Sequence, residues 1–291
     1  SLEMIFVTRK LLNKEVNCWT SSNAQNHVFW KLFFDMMDCF FCNTYLCSAH
    51  AVIIQEKLNV WFKLRLKIKK TGKFKNSKKY LKLINNASVY DVAIDSPTTH
   101  AVNLSIKEKN NIYLKREDLQ PIFSFKNRGA YNKIINLSDE QKSLGIIAAS
   151  AGNHAQGVAL ACKRLNIKCN IVMPVTAPEN KLNAVKRLGA KVTLFGENLA
   201  DALVRADEIN KKNKYTFVHP FDDPYTIAGQ GTVGKEILED GIDYDVIFVP
   251  VGGGGLLAGI SAWIRQHNKK IKIIGVEVND SACLTEALKS N

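Results

Sequence analysis

The sequence predicts an α/β protein built on open, doubly wound parallel sheets, and three observations carry that prediction. Short apolar, β-branched runs recur along the chain from residue 89 with amphipathic stretches between them. Runs such as VIFVPV at 246–251 are continuous rather than alternating, as in strands buried on both faces of a parallel sheet. The connections are short, which implies right-handed crossovers between successive strands.

The strands are expected, in order, at 112–115 (IYLK), 145–149 (GIIAA), 169–173 (CNIVM), 191–195 (KVTLF), 245–251 (DVIFVPV) and 272–278 (KIIGVEV). Helices are expected at 126–137, 154–165, 177–188, 198–213, 228–240 and 256–266. In such sheets ligands sit beyond the carboxyl ends of the strands.

The 291 residues are enough for one large or two modest domains, and 46% apolar with 23% charged residues suits a soluble globular enzyme. The net charge of +13 would suggest nucleic acid or an anionic membrane, but residues 57–82 alone hold eleven Lys or Arg and no acid. From residue 91 onward 25 basic side chains face 22 acidic ones. The basicity therefore belongs to a segment, and no nucleic-acid partner is expected.

Seven cysteines in a chain of this length argue for a reducing compartment rather than a disulfide scaffold. Cys39-x-x-Cys42 lacks a second pair at metal-binding spacing, so no metal is expected there. The chain begins with Ser rather than Met, and residues 28–54 are rich in apolar side chains. The cleaner run, 39–54, falls short of the ~20 residues that span a bilayer. A hydrophobic extension at 1–56 followed by a basic linker at 57–88 reads as an organelle leader, for plastid or mitochondrion. A plain extension of a cytoplasmic protein is the alternative; either way 1–88 is set apart from the fold, and no membrane partner is expected of the mature form.

Three loops at strand ends could make one site. Gly252-Gly253-Gly254-Gly255-Leu256 joins a buried strand to a helix, where glycine backbones and free helix-start amides form a phosphate cup. Ser124-Phe125-Lys126-Asn127-Arg128-Gly129-Ala130 opens a helix with a lysine that desolvation can keep reactive. Ser150-Ala151-Gly152-Asn153-His154-Ala155-Gln156-Gly157 exposes amides and two polar side chains, suited to a carboxylate or a phenolic oxygen, although Ser and Asn also cap helices. Gly229-x-Gly231-x-x-Gly234 matches a dinucleotide fingerprint, but no apolar strand leads into it, so it is set aside.

Taken together, with Lys115-Arg116-Glu117-Asp118 and Ala228-Gly229-Gln230-Gly231-Thr232, these loops resemble the fold-type II pyridoxal-phosphate enzymes, specifically the threonine/serine dehydratase branch. The likeness runs from about Val89 to the end in the family's order and spacing, and Asp280-Ser281-Ala282-Cys283-Leu284 is similar to the biosynthetic threonine deaminases. The resemblance implies a two-lobed, tryptophan synthase β-like fold over 89–291, with 145–222 as the smaller lobe. It implies pyridoxal 5'-phosphate held by Lys126 as a Schiff base, with Lys126 taking the substrate's α-proton. Asn153 would meet the ring hydroxyl oxygen, and Gly252, Gly253, Gly254, Gly255 and Leu256 would hold the phosphate. Ser150, Gly152, Asn153 and His154 would bind the substrate carboxylate.

The implied reaction is deamination of L-threonine to 2-oxobutanoate and ammonia, the first step of isoleucine biosynthesis, by a homo-oligomer. The rivals are a serine/threonine dehydratase and a serine racemase. Racemases of this branch carry a second serine where Ala151 stands, and a methyl group cannot move a proton. The branch's divalent cation site would use Glu277, but Cys283 falls where an acid is expected, so no metal is assigned. The family's later serine or cysteine for the pyridine nitrogen, and its regulatory domain, are not in the sequence. A C-terminally incomplete enzyme is therefore expected, with an inactive remnant as the alternative.

Overall fold

The computed structural model describes residues 4–9 and 77–290. Of these, residues 4–9, 77–102 and 111–290 belong to one compact unit and 103–110 to a second. Both sheets and every candidate site residue belong to the first. Apart from residues 4–9, the expected leader, with Cys39 and Cys42, lies outside the described residues, as does most of the basic linker.

The chain order is β1 (Met4–Arg9), α1 (Ser77–Asn85), β2 (Thr98–His100), α2 (Val102–Lys107), β3 (Asn111–Arg116), α3 (Lys126–Ile135), α4 (Asp139–Leu144) and β4 (Ile146–Ala149). It continues through α5 (Asn153–Leu165), β5 (Cys169–Met173), α6 (Glu179–Arg187), β6 (Lys191–Leu194), α7 (Leu199–Asn213) and β7 (Thr216–Phe217). The last elements are α8 (Pro224–Glu239), β8 (Val246–Pro250), α9 (Gly255–His267), β9 (Lys272–Val276) and α10 (Cys283–Ser290).

One sheet, in the order β6-β5-β4-β7, is wholly parallel, as the strand–helix alternation requires. Its central strand β4 is buried along its whole length. Ile146 and Ala148 face one apolar cluster, with Ile171 and Met173, while Ile147 and Ala149 face another, with Val172, Ala202 and Ala206. That is the two-residue period of a strand covered on both sides.

The other sheet, β2-β3-β1-β8-β9, is mixed. Only β8 and β9 run parallel; β1 lies between β3 and β8 and is antiparallel to both. Val7 stands opposite Tyr113 on one side and Ile247 on the other. Residues 4–9 thus enter the fold although the sequence sets 1–88 apart, and Ile5 and Val7 are buried with Ile247, Val249, Leu256 and Ile260. Ile84 of α1 is likewise buried against Ala228 and Trp263. β8 alternates between buried and half-buried positions, so its VIFVP run is not enclosed equally on both faces.

Several short elements escape the sequence pattern. Helix α4 has six residues, too few to show a period, and is defined instead by its capping box: Ser138 Oγ accepts from Gln141 N–H while the Gln141 side chain accepts from Ser138 N–H. Among the described residues no helix is long and apolar enough to cross a membrane.

Candidate functional site

Lys126 is the first residue of α3 and half-buried. Its Nζ donates to the Pro220 carbonyl at 2.9 Å and lies 5.2 Å from the centroid of the Phe125 ring. The backbone behind it is fixed by close approach: a Cβ on Gly157 of α5 would sit 2.9 Å from the Lys126 carbonyl oxygen. Gly157, the last residue of the third loop, is therefore a contact glycine.

Two residues beyond Lys126, Arg128 anchors the helix. It is completely buried, and its guanidinium donates to Glu117 at 2.8 and 2.9 Å and to both carboxylate oxygens of Glu236 on α8. Lys115 of β3 reaches Glu236 at 2.8 Å, and the Ser96 hydroxyl donates to Glu117 at 2.6 Å. Burial alone would raise the Glu236 pKa; Arg128 and then Lys115 overcome it and hold the carboxyl below its ordinary range. Two cations and two anions balance, as a buried cluster must. The Lys115-Arg116-Glu117-Asp118 run owes its place beside the lysine loop to this cluster.

The cup between β8 and α9 has the expected form. Gly254 has φ +84°, in the left-handed region, and no side chain caps α9. A Cβ on Gly252 or Gly254 would meet nothing within 4 Å, whereas one on Gly253 would strike the Phe221 ring and one on Gly255 would lie 2.9 Å from the Phe221 carbonyl oxygen. One side of the cup is thus shut by Phe221, and the other is an open cradle beside the uncapped amides of Gly255 and Leu256. The cradle fits a small anion such as the phosphate of the expected cofactor.

In the third loop the Ser150 hydroxyl accepts from Gly152 N–H at 3.2 Å. Asn153 starts α5, and its Oδ1 accepts from Lys181 Nζ at 2.6 Å and from Gln156 Nε2 at 3.3 Å. His154 is buried, with Nε2 2.9 Å from the Val218 carbonyl oxygen. Burial, and then the Lys126 charge, push its pKa down to about 3, so the ring is neutral and Nε2–H donates.

These contacts share a partner segment that no sequence motif singles out. Val218 accepts from His154, Pro220 accepts from Lys126, and Phe221 covers Gly253 and Gly255. Val218–Phe221 therefore draws the three predicted loops together, while Ser150 and Gly152 bond to each other. The segment is itself held by its ends. The Asp222 N–H donates to His219 Nδ1 at 2.8 Å, and Asp223 caps α8 by accepting from Tyr225 and Thr226. Its sequence signal was an Asp-Pro helix start, not a chemical motif.

The set-aside Gly229-x-Gly231-x-x-Gly234 lies inside α8, past its start at Pro224, and not in a strand-to-helix turn. Its glycines serve helix packing: a Cβ on Gly229 would be 2.6 Å from Gly129 Cα, and one on Gly259 of α9 would be 2.6 Å from the Gly231 nitrogen. Glu277 caps α10, its carboxylate accepting from Leu284 N–H at 2.7 Å and Thr285 N–H at 3.0 Å. Among the described residues no group of three or more His, Cys, Asp or Glu could hold a metal ion.

Residues 89–291 match the family model described as pyridoxal-phosphate dependent enzyme. The chain belongs to that family. It is 51% identical over 211 residues, 72% of this chain, to a biosynthetic L-threonine dehydratase of Pasteurella multocida, of which it covers 41%. The chain thus spans well under half the length of that relative. The processed form of threonine deaminase isoform 2 from Solanum lycopersicum superposes with a TM-score of 0.71 at 46% identity, covering 75% of this chain and 64% of that one. A serine racemase from Dictyostelium discoideum gives 0.67 at 33%, covering 74% and 69%. Pyridoxal phosphate is the cofactor on which that family depends.

Proposed function

We propose that this chain is the catalytic portion of a threonine deaminase, converting L-threonine to 2-oxobutanoate and ammonia as the first step of isoleucine biosynthesis. The observation that carries the reading is the convergence of Lys126, the glycine cup and the His154 loop on Val218–Phe221. Bound pyridoxal phosphate supplies an electron sink that acidifies the substrate's α-carbon.

The residues do the rest. Lys126 is the anchoring amine and, once released by substrate, the base for the α-proton; the Pro220 carbonyl marks where its Nζ is held. The amides of Gly252 to Leu256 take the phosphate. Ser150, Gly152 and the start of α5 take the substrate carboxylate, with His154 contributing through its backbone N–H because its ring is committed to Val218. Asn153 serves the ring oxygen. Ala151 offers no hydroxyl for a second proton transfer, which favours elimination over racemisation. The threonine dehydratase and threonine deaminase relatives, at about half identity against a third for the racemase, support the same choice.

The test is release of 2-oxobutanoate from L-threonine by purified chain supplied with cofactor. Lys126→Ala is expected to reduce it to background while the fold persists. A wild-type chain that binds cofactor but releases none overturns the reading. So does a Lys126→Ala variant with activity intact.

A further inference from the structure

Asn153 is flanked by a lysine that no motif singles out. Lys181 sits near the start of α6 and sends Nζ to Asn153 Oδ1 at 2.6 Å, across a separation of 28 residues. Gln156, one turn along α5 and buried, adds a second donor to the same oxygen at 3.3 Å. Among the described residues Lys181 forms no salt bridge, so its charge is directed at an amide rather than at a carboxylate.

The two ends of an asparagine amide are nearly the same size and opposite in function, and the neighbours decide which way it faces. Two donors on Oδ1 fix the acceptor end. The end that can serve an oxygen acceptor is then Nδ2. A short bond from a cation also polarises the amide and strengthens its N–H as a donor.

We propose that Lys181 is a positioning residue of the cofactor site: it holds Asn153 so that Nδ2 donates to the ring hydroxyl oxygen of pyridoxal phosphate and stabilises that oxygen in its ionised form. This rests on the reading above that Asn153 serves the ring oxygen. Without Lys181 the amide can turn its carbonyl toward the ring, where it repels an ionised oxygen and accepts from a protonated one. The lysine therefore selects the cofactor's protonation state without touching the cofactor.

The test uses the chain reconstituted with pyridoxal phosphate, in wild-type, Lys181→Met, Lys181→Arg, Asn153→Ala and doubly substituted Asn153→Ala/Lys181→Met forms. Lys181→Met is expected to bind cofactor roughly tenfold more weakly. It is also expected to move absorbance from the visible band of the ionised ring to the near-ultraviolet band of the form protonated at the ring oxygen. Lys181→Arg restores the visible band. In the Asn153→Ala background, Lys181→Met changes neither quantity further, because its effect runs through that amide. The thermal midpoint without cofactor is expected to be the same for wild type and Lys181→Met, which separates positioning from support of the fold.

A Lys181→Met spectrum and affinity equal to wild type overturn the proposal. Effects that persist in the Asn153→Ala background overturn it as well. If the Met variant does not fold, Lys181→Leu gives the same comparison with another side chain that cannot donate. A wild-type chain that shows no cofactor band is a different result: it removes the reading of the site itself and this proposal with it.

Discussion

The glycines of α8 and those of the β8–α9 loop are the same residue put to opposite uses. In α8, Gly229 and Gly231 leave no room: added Cβ atoms would meet the backbone of Gly129 on one side and the Ile84 side chain on the other at 2.6 Å. In the loop, Gly252 and Gly254 face open space. One cluster brings helices into contact; the other leaves a surface clear. A glycine motif read as a string cannot tell these apart, because the difference lies in what stands opposite. The strand before Gly252 and the turn before Gly229 were the only local clues.

The packed side breaks hardest through its charges. Glu236, seven residues along α8 from Gly229, is the counter-ion of both Arg128 and Lys115. Glu236→Leu leaves two buried cations against the buried Glu117 and the exposed Asp95, which meets Lys115 Nζ at 3.3 Å, so the buried charge is under-compensated. A loss of about 3–5 kcal/mol is expected, read as a lower urea midpoint of the cofactor-free chain. A loss below about 1 kcal/mol would show that Glu117 and Asp95 suffice.

Gly229→Ala comes next. The new methyl meets Gly129 Cα and the Arg128 carbonyl, backbone atoms that cannot rotate away, so α3 and α8 must part. The expected cost is about 1–3 kcal/mol in the same urea experiment. Because Lys126 begins α3, cofactor binding should weaken along with stability. Unchanged stability would mean that the helices separate freely, and the contrast with the cup would dissolve.

Much of this was legible in the sequence, and the misses share a cause. The parallel strands β4, β5 and β6 follow from local strand–helix alternation, and the Lys126 loop and the glycine cup were picked out as loops at strand ends, whereas the two-residue β7 was not expected. Strand β1 could not be read that way. Its partners lie more than a hundred residues on, and nothing in MIFVTR says which chain segments will flank it. Val218–Phe221 was missed because its carbonyl oxygens, at Val218 and Pro220, do the binding, and a carbonyl is common to every residue. Nothing in the sequence sets Lys181 apart; only the packing of α6 beside α5 brings it to Asn153. Sequence pattern reports which face is apolar; it does not report what the fold carries to that face.

The smallest effect on stability sharpens the comparison most. Gly252 has no positive φ, and a Cβ there meets nothing within 4 Å, so Gly252→Ala adds neither strain nor a clash. The urea midpoint without cofactor should move by no more than about 0.5 kcal/mol. Yet the methyl projects into the cradle beside the α9 amides and keeps a phosphate from reaching them. Losing charge-assisted hydrogen bonds of that kind costs about 1.5–3 kcal/mol, a tenfold or greater fall in pyridoxal-phosphate affinity. Gly229→Ala lowers stability and affinity together, whereas Gly252→Ala should lower affinity alone. Measuring both variants by urea unfolding and cofactor titration separates the two jobs of glycine. If Gly252→Ala binds the cofactor as wild type does, the phosphate is held elsewhere and the open cradle is only a loop.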